Sequence, residues 1–132
     1  MSFYNEDDDE AIKRLIRGDK SIDTVKLHVM YYRNNGDSYT NTTPLAMKFF
    51  NFLSGCKSPS SFSTLEIEIK NYPQRLSLQA ALGNALAKTS LAKVDNLKLE
   101  SSSYCDAVIL EGLAKSNVKV KNLDLALDCT TS

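Results

Sequence analysis

A single histidine, His28, is the only imidazole in this 132-residue chain, so any acid–base chemistry near neutral pH falls to it. It lies in Val25-Lys-Leu27-His-Val29, where alternation puts it on the same side as Lys26, away from the apolar residues. Catalysis would need a nucleophile or a carboxylate close by in space. Glu68, in Leu65-Glu-Ile67-Glu-Ile69, is the expected neighbour, and a surface histidine–glutamate pair is the preferred reading. The three cysteines, Cys56, Cys105 and Cys129, are an odd set without tight spacing and read as free thiols of a reducing compartment. Cys105 falls at an expected helix start, where a thiolate is favoured, but no second histidine exists to activate it. Asp7, Asp8 and Asp9 diverge around a nascent helix and read as a solvated helix start that suits the helix dipole, not as a metal site. Phosphate-cradling glycine loops, Cys-x-x-Cys, Gly-x-Ser-x-Gly and His-Glu-x-x-His are all missing. No catalytic residue, cofactor or metal is therefore expected.

The elements that position these residues are legible from periodicity. Four stretches alternate apolar and polar residues: 25–29, 65–69, 97–99 and 123–127. Each follows an apolar residue three positions earlier (Ile22, Phe62, Val94, Val120), giving the template apolar-x-x-apolar-x-apolar. A helical stripe precedes each strand. Ala11, Ile12, Leu15 and Ile16 make the first, closed by Gly18. Leu45, Phe49, Phe52 and Leu53 make the second, with Thr43 as N-cap, Pro44 at the first helical position and Gly55 past its end. In this helix Phe50 falls off the main stripe and is expected to contact a neighbouring unit. Leu78, Ala81, Leu82, Ala85 and Leu86 make the third stripe, and Ala107, Leu110, Leu113 and Ala114 the fourth. Strands separated by helices cannot form hairpins, so the expectation is an α/β fold with a parallel sheet in sequential strand order. Arg33-Asn-Asn-Gly-Asp37 is a turn signal for a small hairpin protruding from the first unit.

Aligning the strands stacks Lys26, Glu66, Lys98 and Asp124 in one row and His28, Glu68, Glu100 and Ala126 in the next. The first row alternates in sign, and opposite cross-strand charges contribute about 0.2–1 kcal/mol each. Glu68 and Glu100 are the less compensated members and the better contact candidates. Lys88, Lys93, Lys115, Lys119 and Lys121 concentrate in the last two units, without interleaved aromatics to stack bases.

Two passages are nearly the same sentence. Residues 86–99 and 113–125 both run Leu-Ala-Lys-Ser/Thr and then Lys-Val-x-Asn-Leu-x-Leu, 26 to 27 residues apart. Val94-x-x-Leu97-x-Leu99 and Val120-x-x-Leu123-x-Leu125 resemble the leucine-rich repeats, in particular the ribonuclease-inhibitor-like type. The resemblance extends over residues 11–129 and is closest in the last two units. It implies a short solenoid of about four αβ units (residues 6–33, 42–72, 76–102 and 104–129) within a single domain, 1–132. One departure is clear. Where the family places Asn or Cys after the strand, this chain has Met30, Lys70, Ser102 and Asp128, while Asn96 and Asn122 precede the expected strands. Divergent repeats of this kind are familiar among effectors of intracellular bacteria, which would place the chain in the cytoplasm of its own or a host cell.

Sixteen basic and sixteen acidic residues cancel, so no global field draws nucleic acid or an anionic membrane. The acidic N-terminus lacks the pattern of a signal peptide, and no apolar run reaches the roughly 20 residues a membrane helix needs. The Asn41-Thr42-Thr43 sequon then reads as loop chemistry. The leading expectation is a non-enzymatic protein-binding module presenting Lys26, His28, Glu66, Glu68, Lys98, Glu100 and Asp124 on the polar sheet face, its partner unidentified. A second expectation is assembly. The chain runs only a few residues past the last strand, leaving Leu123–Leu127 as an open edge that pairs with another chain or continues a longer solenoid. A third is a small α/β enzyme or ligand-binding domain. Its site would lie at the strand carboxyl ends near Met30, Asn71, Ser101–Ser103 and Asp128, and its strand order would reverse.

Overall fold

The structure is a computed structural model that describes residues 2–3, 9–18, 21–33, 39–41, 43–55, 61–71, 76–101 and 107–127. In chain order the elements are β1 (Ser2–Phe3), α1 (Asp9–Ile16), β2 (Thr24–Arg33), β3 (Tyr39–Asn41), α2 (Thr43–Gly55), β4 (Ser61–Asn71), α3 (Leu76–Lys88), β5 (Lys93–Ser101), α4 (Ala107–Lys115) and β6 (Lys119–Ala126). The sheet runs β1-β2-β4-β5-β6, every neighbour parallel, with β3 antiparallel beside β2. The expected sequential order of αβ units is what forms. The expected hairpin also forms, as β3 paired to residues 31–33, while its turn lies outside the described residues. The short strand β1, beside Lys26 and Leu27, has no counterpart in the sequence reading.

Helices pack in sequence, α1 on α2, α2 on α3 and α3 on α4, as one layer. The core lies between that layer and one face of the sheet. Val25, Leu27 and Val29 on β2 are fully buried, as are Leu65, Ile67 and Ile69 on β4 and Leu97 and Leu99 on β5. Ile22, Phe62 and Val94, the first apolar position of the first three templates, are buried with them, while Val120 of the fourth is half-buried. Against this floor sit Leu15 of α1, Leu45, Phe49 and Leu53 of α2, and Leu78, Leu82, Ala85 and Leu86 of α3. Phe50 is buried as well, its ring 6.5 Å from that of Phe49, because α2 is flanked by helices on both sides and needs a wide apolar arc. Gly18 ends α1 with φ of +85°, and its amide donates to the Leu15 carbonyl at 3.0 Å, the left-handed stop that glycine makes cheap.

The fourth helix departs from its expected stripe. Ala107 and Ala114 are exposed and Leu110 and Leu113 half-buried, whereas Ile109 and Gly112 are buried. The reason is a backbone contact. Gly112 of α4 meets the backbone of Gly83 in α3, and Gly83 meets that of Val108, so the helices approach more closely than side chains would allow. This contact rotates α4 to put Ile109 and Gly112 inward. Ala11, Ile12, Ile16, Thr43 and Pro44 lie in the expected helices, but their side chains are outside the described set. Cys56, Cys105, Cys129, Asp7 and Asp8 lie outside the described residues altogether.

Candidate functional site

The sheet face opposite the helices carries the alternate residues of each strand; on β2, β4 and β5 these are half-exposed or exposed while their neighbours are buried, and on β6 nearly the whole strand is exposed. Parallel pairing without shifts aligns them in three rows. Thr24, Thr64, Asn96 and Asn122 form the first, at the start of the strands. Lys26, Glu66, Lys98 and Asp124 form the second, and His28, Glu68, Glu100 and Ala126 the third, both as expected from sequence.

The charges pair selectively. His28 Nδ1 lies 2.9 Å from Glu68 Oε2, with side-chain exposures of 23% and 13%, so the histidine–glutamate neighbourhood expected from sequence is present. Lys98 Nζ lies 3.4 Å from Glu66 Oε1. The hydrogen bond to Glu66 holds the Lys98 ammonium above its ordinary 10.5, helped by the Glu66 charge and less by Glu100 and Asp124, against a desolvation cost. Glu100 stands directly opposite Glu68 on one side and Ala126 on the other. Like charges directly opposite are unfavourable, so two carboxylates stand side by side here, with His28 beside Glu68 and Lys98 next to Glu100 along its strand. Between the first and second rows runs a groove of about 330 Å³, lined by Lys26, Thr64, Glu66, Asn96, Lys98 and Asp124 among others.

By their spacing in the sequence, Asn96 and Asn122 are expected to precede the strands. The structure corrects this, because β5 and β6 begin earlier, at Lys93 and Lys119. Asn122 Nδ2 donates to Asn96 Oδ1 at 3.0 Å, and Asn96 Nδ2 donates to the Ser63 carbonyl at 3.3 Å. The Ser63 hydroxyl in turn donates to Asp23 Oδ2 at 3.2 Å. A polar ladder thus crosses the sheet at the start of the strands, and the repeated Val-x-Asn-Leu phrase was the available signal for it.

The lysines of the last two units reach one end of the structure. Lys93 and Lys119 are in register on β5 and β6, and Lys88 and Lys115 close α3 and α4. Lys121 is exposed on β6, and Lys93 Nζ lies 3.4 Å from Asp95 Oδ1. At the strand carboxyl ends, Ser101 is buried and accepts a 3.3 Å hydrogen bond from Gln79 Nε2. Gln79 Oε1 is buried without a partner among the described residues. Ser102, Ser103 and Asp128 lie outside those residues, as do the side chains of Met30 and Asn71. Among the described residues no cluster of His, Cys, Asp and Glu converges as a metal site, and no helix is long and apolar enough to cross a membrane. The chain matches no family model, no curated protein and no solved structure.

Proposed function

We propose that this chain is a non-enzymatic interaction module of the leucine-rich-repeat kind, which holds a protein partner on its open sheet face by seating a Lys or Arg of that partner over Glu68 and Glu100. The observation that carries the reading is the in-register placement of these two carboxylates on adjacent strands. Each costs the other some stability, and a partner's cation would relieve both. The neighbouring groups add a polar rim: His28 beside Glu68, the Glu66–Lys98 pair, and Lys26 and Asp124 at the two ends of their row. Sequential strand order supports this reading over a ligand site at a topological switch point, which needs a reversal of strand order.

Selection of displayed random peptides on the purified protein tests the proposal. The binders should be enriched in Lys or Arg. Glu100→Lys should weaken them about tenfold, the effect of losing roughly 1.5 kcal/mol of charge pairing, with the thermal melt unchanged. Binders without a basic residue, or affinities untouched by Glu100→Lys, would overturn it.

A further inference from the structure

We propose that β6 pairs, in parallel and head to tail, with β2 of a second copy of this chain. The proposal rests on strand register and edge charge, not on the Glu68–Glu100 reading. Among the described residues β6 pairs with β5 alone, and its core-side residues Leu123 and Leu125 are 51% and 38% exposed. Such an edge offers a free hydrogen-bonding ladder beside apolar side chains, the feature that recruits another strand.

Charge and register name the occupant. In the row Lys26, Glu66, Lys98, Asp124, the inner Glu66–Lys98 pair closes at 3.4 Å. The row ends, Lys26 and Asp124, carry opposite signs, and neither closes an ion pair among the described residues. Continuing the sheet with β2 of a second copy in the same register sets Lys26 of that copy beside Asp124. Val25 and Leu27 of the second copy then fall beside Leu123 and Leu125. The template apolar-x-x-apolar-x-apolar thereby repeats across the junction without a break, as does the alternation of charge. The same step brings α1 of the second copy next to α4, over the exposed leucines.

The receiving edge can accept it. On the outer side of β2, β3 occupies Tyr31 to Arg33, while β6 in this register ends at Ala126 opposite His28. Among the described residues only β1 stands in the way. It has two residues against the eight of β6, so exchanging one for the other increases the ladder. The contact is heterologous, so it builds an open row or a ring and not a two-fold dimer.

Sedimentation velocity on the full chain, over a wide concentration range, is the test. The weight-average mass should climb above the 14.7 kDa of one chain with no plateau at two copies. Lys26→Asp and Asp124→Lys should each weaken association about tenfold or more, since each puts like charges at the junction. The doubly exchanged chain should regain it, as should a mixture of the two single variants. This rescue also shows that neither variant had misfolded. A mass fixed at one chain throughout, association indifferent to Lys26→Asp, or a doubly exchanged chain that fails to recover would each overturn the proposal.

Discussion

Replacing Gly112 by alanine separates two influences of opposite sign. Within a helix, Gly→Ala gains about 1 kcal/mol of propensity. In α4, however, a Cβ on Gly112 would lie 2.7 Å from both Cα and C of Gly83, and closer still to that residue's carbonyl oxygen. Carbon atoms settle at about 3.5–4.0 Å, so the helices must part by about 1 Å. All the atoms involved on α3 are backbone, and no side-chain rotation relieves them. The nine residues of α4 make a seam about 13 Å long. Taking the seam as about 8 Å wide, a 1 Å gap opens roughly 100 Å³, worth about 2.4 kcal/mol at 24 cal/mol per Å³. Net of propensity, Gly112→Ala should destabilise the fold by about 1.5 kcal/mol, lowering a urea midpoint by roughly 1 M. Gly55→Ala, where an added Cβ meets nothing within 4 Å, is the control and should stay within about 0.5 kcal/mol of the parent. If Gly112→Ala instead raises stability by the propensity increment, the close contact of α3 and α4 is refuted.

Two further outcomes follow from the polar face. Asn96→Ala removes the bonds to the Ser63 carbonyl and to Asn122 and should cost about 1–2 kcal/mol, against about 1 for Asn122→Ala. A double-mutant cycle in urea should then give a coupling of about 0.5 kcal/mol or more, whereas strict additivity would dissolve the ladder. The Lys98 ammonium, followed by NMR, should titrate above 10.5, and Glu66→Gln should return it toward that value. The sign is fixed by linkage. A folded pKa above the unfolded one contributes stability that is complete below 10.5 and lost as pH rises through the folded value. Titration at or below 10.5 in the parent protein would contradict the Glu66 contact.

Register was the most legible property of this fold. The period of two within strands, and the recurrence of an apolar residue three positions before each, leave little freedom in how four parallel strands align. His28 beside Glu68 and Glu66 beside Lys98 followed directly. What escaped the sequence depends on backbone proximity or on neighbours. The stripe of α4 looked like Ala107, Leu110, Leu113 and Ala114, because periodicity rewards apolar side chains and is blind to a glycine that buries its backbone against another helix. Phe50, off the main stripe of α2 and expected to contact a neighbouring unit, is buried, since a helix between two others has more than one covered face. Asn96 and Asn122 are polar and disfavoured in strands by propensity, which hides the strand starts; in the sheet Asn122 donates to Asn96, and Asn96 donates to the Ser63 carbonyl. β1 is two residues long, below anything a period can reveal.

The open sheet face is the surface proposed to recognise a partner. Backbone amide shifts of the labelled protein, titrated with a basic peptide selected on it, test this most directly. The shifts should centre on Glu66–Glu68 of β4 and Lys98–Glu100 of β5. A footprint confined to α2, α3 and α4, on the opposite side of the molecule, would contradict it.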